Sequence, residues 1–248
     1  MNVKWTSAQD TNGRPTREFS LEGNRQITGA IWLPEAPVAG TTLICFGHGA
    51  SGDRYQAPID DLAGRFVEAG FPCLSIDGPV HGLRQLGDGA RGAFYHEYQR
   101  ESSISDMVSD WEFAIEAAKA LNEIGASKLA YFGLSMGSIF GIPLVAARAD
   151  VIVATLGLVG VSGQFPHGER ILEDAANIHC PILFLMQLED ELFDRAGYLN
   201  VFDAFSTEDK KLHANPGLHS AVPFDEVDFT FRFMHGVLTG VHTRQIMT

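Results

Sequence analysis

Short apolar runs in this 248-residue chain, among them Thr41 to Phe46, Phe71 to Ile76, Val151 to Val159 and Pro181 to Met186, are too brief for helices buried on all sides. Segments of helical period separate them. A strand apolar on both faces must be covered on both faces, and parallel neighbours need a long crossover between them. The expected fold class is therefore α/β, a mostly parallel sheet with helices packed on either side. Two further strands are expected, Arg25 to Leu33, which alternates around Ile27, Ala30 and Trp32, and Lys128 to Phe132; another lies near Lys210 to His213.

The helices follow from spacing and punctuation. Ile59, Leu62, Ala63, Phe66 and Val67 share one face and stop at Gly70, where a helix end favours left-handed geometry. From Ser102 or Ser103, the series Ile104, Met107, Val108, Trp111, Ile115, Ala118 and Leu121 keeps an apolar face until Gly125. A helix is expected after Gly137, although Pro143 predicts a kink or break in it. Arg195 to Phe205 and a final helix carrying Phe224, Val227, Phe231, Met234 and Leu238, with Pro223 at its start, complete the set. Pro34, Pro37 and Gly40 punctuate an early loop. Residues 1–17 read as a loosely ordered segment, Val159 to Pro181 as a polar connection, and 82–101 as a long irregular loop. No repeat or linker divides the chain, so residues 1–248 are expected to form one domain.

A formal net charge of -13 repels phosphate backbones and anionic lipid, which argues against nucleic acid as a partner. Three cysteines, Cys45, Cys73 and Cys180, lie in or beside apolar runs and lack disulfide or zinc spacing. They read as reduced thiols in a cytoplasmic protein. Neither a signal peptide at Met1 to Arg17 nor an apolar run of about 20 residues is present, so no membrane span is expected.

The run Gly133-Leu134-Ser135-Met136-Gly137 places a serine on a tight turn between a strand and a helix. A serine hydroxyl needs a base beside it, and that base belongs in a loop after the last strand. His219, in Asn215-Pro216-Gly217-Leu218-His219-Ser220, has that place; His167, His179, His213 and His235 are expected to be structural. A carboxylate must orient the ring. Three acids crowd Gln187-Leu188-Glu189-Asp190-Glu191, directly after the Pro181 to Met186 strand, and Asp194 follows. Backbone N–H groups of Met136 and of Ala50, in Gly47-His48-Gly49-Ala50-Ser51-Gly52, are expected to hold an oxyanion. His48 is expected to support the site from below, and it joins Arg84 and Tyr95 as a candidate for touching substrate. Arg91, Phe94, Tyr98 and Arg100 could meet an acidic or aromatic substrate there; a merely solvated loop is the alternative.

With Asp77-Gly78-Pro79-Val80-His81-Gly82 added, these segments resemble the α/β-hydrolase superfamily over nearly the whole chain, and its dienelactone hydrolase and small carboxylesterase groups in particular. Asp190 is the choice of carboxylate because the α/β-hydrolase pattern that this chain resembles places an aspartate a few residues past the Pro181 to Met186 strand, and Glu189, Glu191 and Asp194 then read as solvated charges. The resemblance implies an eight-stranded, mostly parallel sheet without a large cap, and cofactor-free, metal-free hydrolysis of a small-molecule acyl substrate through an acyl-enzyme. One departure is plain, since dienelactone hydrolase uses cysteine where this chain has Ser135. An ester is the expected substrate. The same triad serves thioesterases, amidases or peptidases, acyltransferases and hydrolases of a carbon–carbon bond in an acidic diketone. A ligand receptor that kept the fold without turnover would show a broken triad. Oligomeric state stays open, a homodimer included.

Overall fold

The computed structural model describes residues 2–22, 25–36, 41–86 and 90–241, without the side chains of Asn2, Ala90, Arg91 and Gly92. Pro37 and Gly40 of the early loop lie outside them. The chain opens with an antiparallel hairpin, β1 (Asn2–Gln9) and β2 (Pro15–Glu22), which corrects the loose segment expected at residues 1–17. Val3 pairs with Leu21 and Trp5 with Phe19, the last two rings lying 5.3 Å apart. Only Val3 and Trp5 mark the inner face of β1 with large apolar groups, so its period is faint in the sequence. Asp10 closes the turn. Its Oδ1 accepts the N–H groups of Asn12 and Arg14, and its Oδ2 accepts the indole N–H of Trp32 at 3.1 Å, tying the hairpin to β3 (Ile27–Trp32).

The remaining strands are β4 (Thr42–Gly47), β5 (Cys73–Ile76), β6 (Lys128–Gly133), β7 (Val151–Gly157), β8 (Ile182–Gln187) and β9 (Lys210–Asn215). They form a nine-stranded sheet in the order β1-β2-β3-β5-β4-β6-β7-β8-β9, one strand more than the eight expected. Pairing is antiparallel from β1 to β5 and parallel from β5 to β9. Parallel strands aim their carboxyl ends at one edge, and in open α/β sheets that edge is where ligands bind.

Helices cover both faces. α3 (Ser103–Lys119), α4 (Met136–Ala147), α5 (Gly168–Ala175) and α6 (Arg195–Ala204) share one core, while α1 (Ile59–Glu68) and α7 (Phe224–Leu238) share the other. In the second core the fully buried Phe66 meets Phe46 and Phe231 with ring centroids 6.3 and 4.9 Å away. Truncating such a ring costs about 3–5 kcal/mol. No described helix is long and apolar enough to cross a membrane, and no large cap interrupts the described residues.

Three other expectations are corrected. The long loop at 82–101 contains a 3-10 turn, Gly82–Arg84, and the helix α2 (Ala90–Tyr98), whose weak amphipathicity hid it. The polar connection after Val159 contains α5, whose four charged residues, Glu169, Arg170, Glu173 and Asp174, made the segment read as polar. α4 continues through Pro143; the core surrounds it from Met136 to Val145, and that packing outweighs the hydrogen bond the proline removes.

Candidate active site

Ser135 stands at the carboxyl end of β6 and immediately before α4, with φ +57° and ψ -120°. Positive φ is strained for a residue with a Cβ, so the surroundings must hold it there. They do so with hydrogen bonds. Ser135 N–H donates to Gly157 O at 2.9 Å, and the Ser138 hydroxyl lies 2.6 Å from Gly133 O and 2.7 Å from Gly157 O while accepting from Gly157 N–H. Glycine is required at position 137, where a Cβ would come within 2.2 Å of Gly47 O. The elbow thus packs directly on the end of β4.

His219 comes from the loop after β9 and Asp190 from the loop after β8. The Ser135 hydroxyl lies 2.9 Å from His219 Nε2, and His219 Nδ1–H donates to Asp190 Oδ2 at 2.7 Å. A neutral ring protonated on Nδ1 satisfies both contacts, leaving Nε2 free to accept the serine proton. The side chain of Asp190 is fully buried and that of His219 nearly so, at 0% and 12% exposed. Burial alone pushes the Asp190 carboxyl upward. Donors from the Tyr198 hydroxyl, the His219 ring and the Leu192 and Phe193 amides outweigh it and hold the group below the usual aspartate range.

The His219 loop is built on the acid loop. Leu188 N–H donates to Asn215 O and Glu189 N–H to Gly217 O, at 2.8 and 3.2 Å. Glu189 accepts from Gly217 N–H, and Glu191 accepts from His219 N–H at 2.8 Å. These two acids stay exposed, as their reading as solvated charges expects, and each also accepts a backbone amide; Asp194, exposed as well, caps α6 by accepting from Gly197 N–H at 2.6 Å. Gln187 adds a clamp, its Nε2 donating to Ala221 O at 2.7 Å and Leu218 O at 3.3 Å.

Met136 is the first residue of α4, so its N–H has no carbonyl four residues back and faces outward at the positive end of the helix. Ala50 sits three residues after β4, in a loop that Gln56 braces by accepting Gly49 N–H and donating to Ser51 Oγ, both at 2.8 Å. The His81 ring spans Pro79 O and Ala50 O at 2.7 and 3.1 Å, which fixes the Ala50 peptide.

The substrate candidates divide. His48 lines the cavity, but Nδ1–H donates to Gly49 O at 2.8 Å and Nε2 accepts Gly78 N–H at 2.7 Å, so neither ring nitrogen is left for a ligand. Burial lowers it to about 4, against the Gly49 bond, and it is neutral. Arg84 is corrected: its guanidinium turns inward to Asp110 Oδ2 at 2.8 Å and Asp77 O at 3.1 Å and does not line the cavity. Arg100 is spent on Glu97 and Asp106, and the side chain of Arg91 lies outside those described. Tyr95, 58% exposed, stands at the cavity mouth.

That cavity holds about 710 Å³ around Ser135 and His219. One side is walled by Phe94, Tyr95 and Tyr98 of α2 with Ile139, Phe165 and Phe193; the other by Ile59, Leu134, Leu158, Val222, Phe224 and Val227. The two sides continue the two cores, so Ser135 stands where both faces of the sheet reach its edge. Among the described residues no group of histidine, cysteine and carboxylate side chains is arranged to hold a metal.

Sequence reasoning missed Tyr198, Gln187, Gln56, Ser138 and His81, all of which hold parts of this site through contacts between distant segments. Only Ser138, three residues after Ser135 in the same turn, had a local signal. Residues 35–219 match the model of the dienelactone hydrolase family. No curated protein sequence matches the chain. Among solved structures it is similar to a cold-adapted esterase from an Arctic intertidal metagenomic library, at 32% identity and TM-score 0.83, over 96% of this chain and 100% of that one. An acetyl xylan esterase from a Paenibacillus species is 15% identical with TM-score 0.70, over 96% and 89% of the two chains. Est1E from Butyrivibrio proteoclasticus, solved with ferulic acid, is 13% identical with TM-score 0.68, over 89% and 99%. The last two share the fold alone.

Proposed function

The chain belongs to the dienelactone hydrolase family, and from that we propose that it is a serine hydrolase cleaving a carboxylic ester of a small molecule through an acyl-enzyme. The observation that carries this reading is the hydrogen-bonded line from Ser135 Oγ through His219 to Asp190, at 2.9 and 2.7 Å. A neighbour 32% identical over nearly the whole chain is described as an esterase, which supports the choice of bond. Three unpaired thiols fit a reducing, cytoplasmic compartment.

Ser135 Oγ adds to the ester carbonyl while its proton passes to His219 Nε2. The amides of Met136 and Ala50 hold the oxyanion, and Asp190 stabilises the imidazolium. Collapse breaks the bond to the alcohol oxygen, which takes the proton from Nε2 and leaves an acyl group on Ser135. Water then gives a proton to Nε2 and attacks the acyl carbonyl; the second collapse returns that proton to Ser135 and releases the acid.

Ser135→Ala tests the assignment. It is expected to abolish fluorophosphonate labelling and to lower ester hydrolysis by several powers of ten. Labelling or turnover that survives the substitution refutes it.

A further inference from the structure

Aromatic rings on the α2 side of the cavity form a continuous arc that ends on the catalytic histidine. Phe94 and Tyr98 stack at 5.7 Å with planes 20° apart, Phe165 lies 6.0 Å from Tyr98, Phe193 lies 5.7 Å from Phe165, and His219 lies 5.7 Å from Phe193. Ile139, buried on α4, lines the cavity together with this arc and Ser135. Such a wall offers ring faces and edges at the spacing that neutral aromatic groups prefer.

The polar atoms of Tyr98, in the middle of the arc, are already engaged. The Tyr98 hydroxyl donates to Pro166 O at 2.7 Å, and Tyr98 O accepts the Ser103 hydroxyl at 2.9 Å. The arginines that suggested an acidic substrate, Arg84 and Arg100, pair instead with Asp110, Glu97 and Asp106. Among the described side chains no lysine or arginine lines the cavity, whereas Asp61 does. A carboxylate seated against the arc would lose its water with no described cation to replace it.

Building on the ester-hydrolase reading, we propose that this arc selects esters carrying a neutral aromatic ring close to the scissile carbonyl and rejects the same esters bearing a carboxylate on the ring. Phe94 and Phe165 are the residues that set this preference. Arg91 stands on α2 one turn before Tyr95, and the preference does not depend on it.

The test measures kcat/KM of the full chain, by proton release, for ethyl acetate, benzyl acetate, methyl benzoate and 4-carboxybenzyl acetate. Either ring-bearing neutral ester is expected to exceed ethyl acetate by about tenfold, and 4-carboxybenzyl acetate to fall about a hundredfold below benzyl acetate. Phe94→Ala and Phe165→Ala should each draw the ratio of benzyl acetate to ethyl acetate toward one; a general loss of activity cancels from that ratio. Tyr95→Arg, at the half-exposed mouth, should raise 4-carboxybenzyl acetate relative to benzyl acetate by about tenfold. Equal or better turnover of the carboxylate, or a carboxylate preference that disappears in Arg91→Gln, overturns the proposal while fluorophosphonate labelling of Ser135 leaves the hydrolase reading standing. Failure of that labelling removes the hydrolase reading, and this one with it.

Discussion

Asp190 Oδ2 receives two donors, the His219 ring and the hydroxyl of Tyr198, a fully buried residue of α6. Burial raises the Tyr198 phenol far above its ordinary range, with Asp190 adding to the effect, so it remains a neutral donor. Tyr198→Phe deletes that donor while keeping the ring against Phe184 and Phe193, each 6.2 Å away. Hydrogen bonds to charged groups contribute about 1.5–3 kcal/mol. Since Oδ2 keeps His219 and Oδ1 keeps the amides of Leu192 and Phe193, the lower end applies, about 1.5 kcal/mol. For 248 residues the unfolding entropy is about 0.5 kcal/mol/K, which places the fall in Tm near 3 °C.

The same substitution should move catalysis. With one donor gone, more negative charge on Oδ2 stabilises the imidazolium, so the acid limb of the kcat/KM profile shifts to higher pH. Asp190 is held below its unfolded value, so its contribution to stability is full above about pH 4 and vanishes as acid protonates the folded carboxylate. The stability gap between the two proteins should therefore close at low pH. Calorimetry between pH 3 and 8, with pH–rate profiles for both proteins and for Tyr98→Phe, reads all three effects; Tyr98 donates to a neutral carbonyl and should leave the acid limb in place. An unmoved limb together with an unchanged Tm in Tyr198→Phe refutes the coupling.

Arg54→Met leaves the fully buried Asp77 without its ion pair, at a cost of about 3–5 kcal/mol or about 6–10 °C in Tm, and Asp77→Asn in the same chain should recover part of it; a loss under about 1 kcal/mol in a urea titration contradicts this. Gly137→Ala drives a methyl group into Gly47 O and should destabilise by about 1–3 kcal/mol while displacing the loop that carries Ala50, with fluorophosphonate labelling slowed; labelling at the native rate shows that the elbow yields. Burial pushes the thiols of Cys45 and Cys180 up to about 12 and raises Cys73 as well, so none should react with Ellman's reagent at pH 8 until the chain unfolds; rapid reaction in the folded state counts against that burial.

Local chemistry in the sequence determined the parallel part of the sheet, five of the seven helices and the place of Ser135, because apolar runs, helical spacing and a glycine-flanked turn are written in neighbouring residues. It also pointed to His219 and Asp190, through their order after successive strands. The hairpin β1–β2, α2 and α5 were not legible, since their inner faces show only two or three apolar residues each and are completed by partners distant in the chain. Tertiary structure alone decided how Glu189 and Glu191 are used, because their partners are backbone amides 28 residues away. It decided Arg84 and Tyr198 for the same reason: which carboxylate a long or buried polar side chain meets depends on how separate strands end at one edge of the sheet, and no spacing along the chain encodes that.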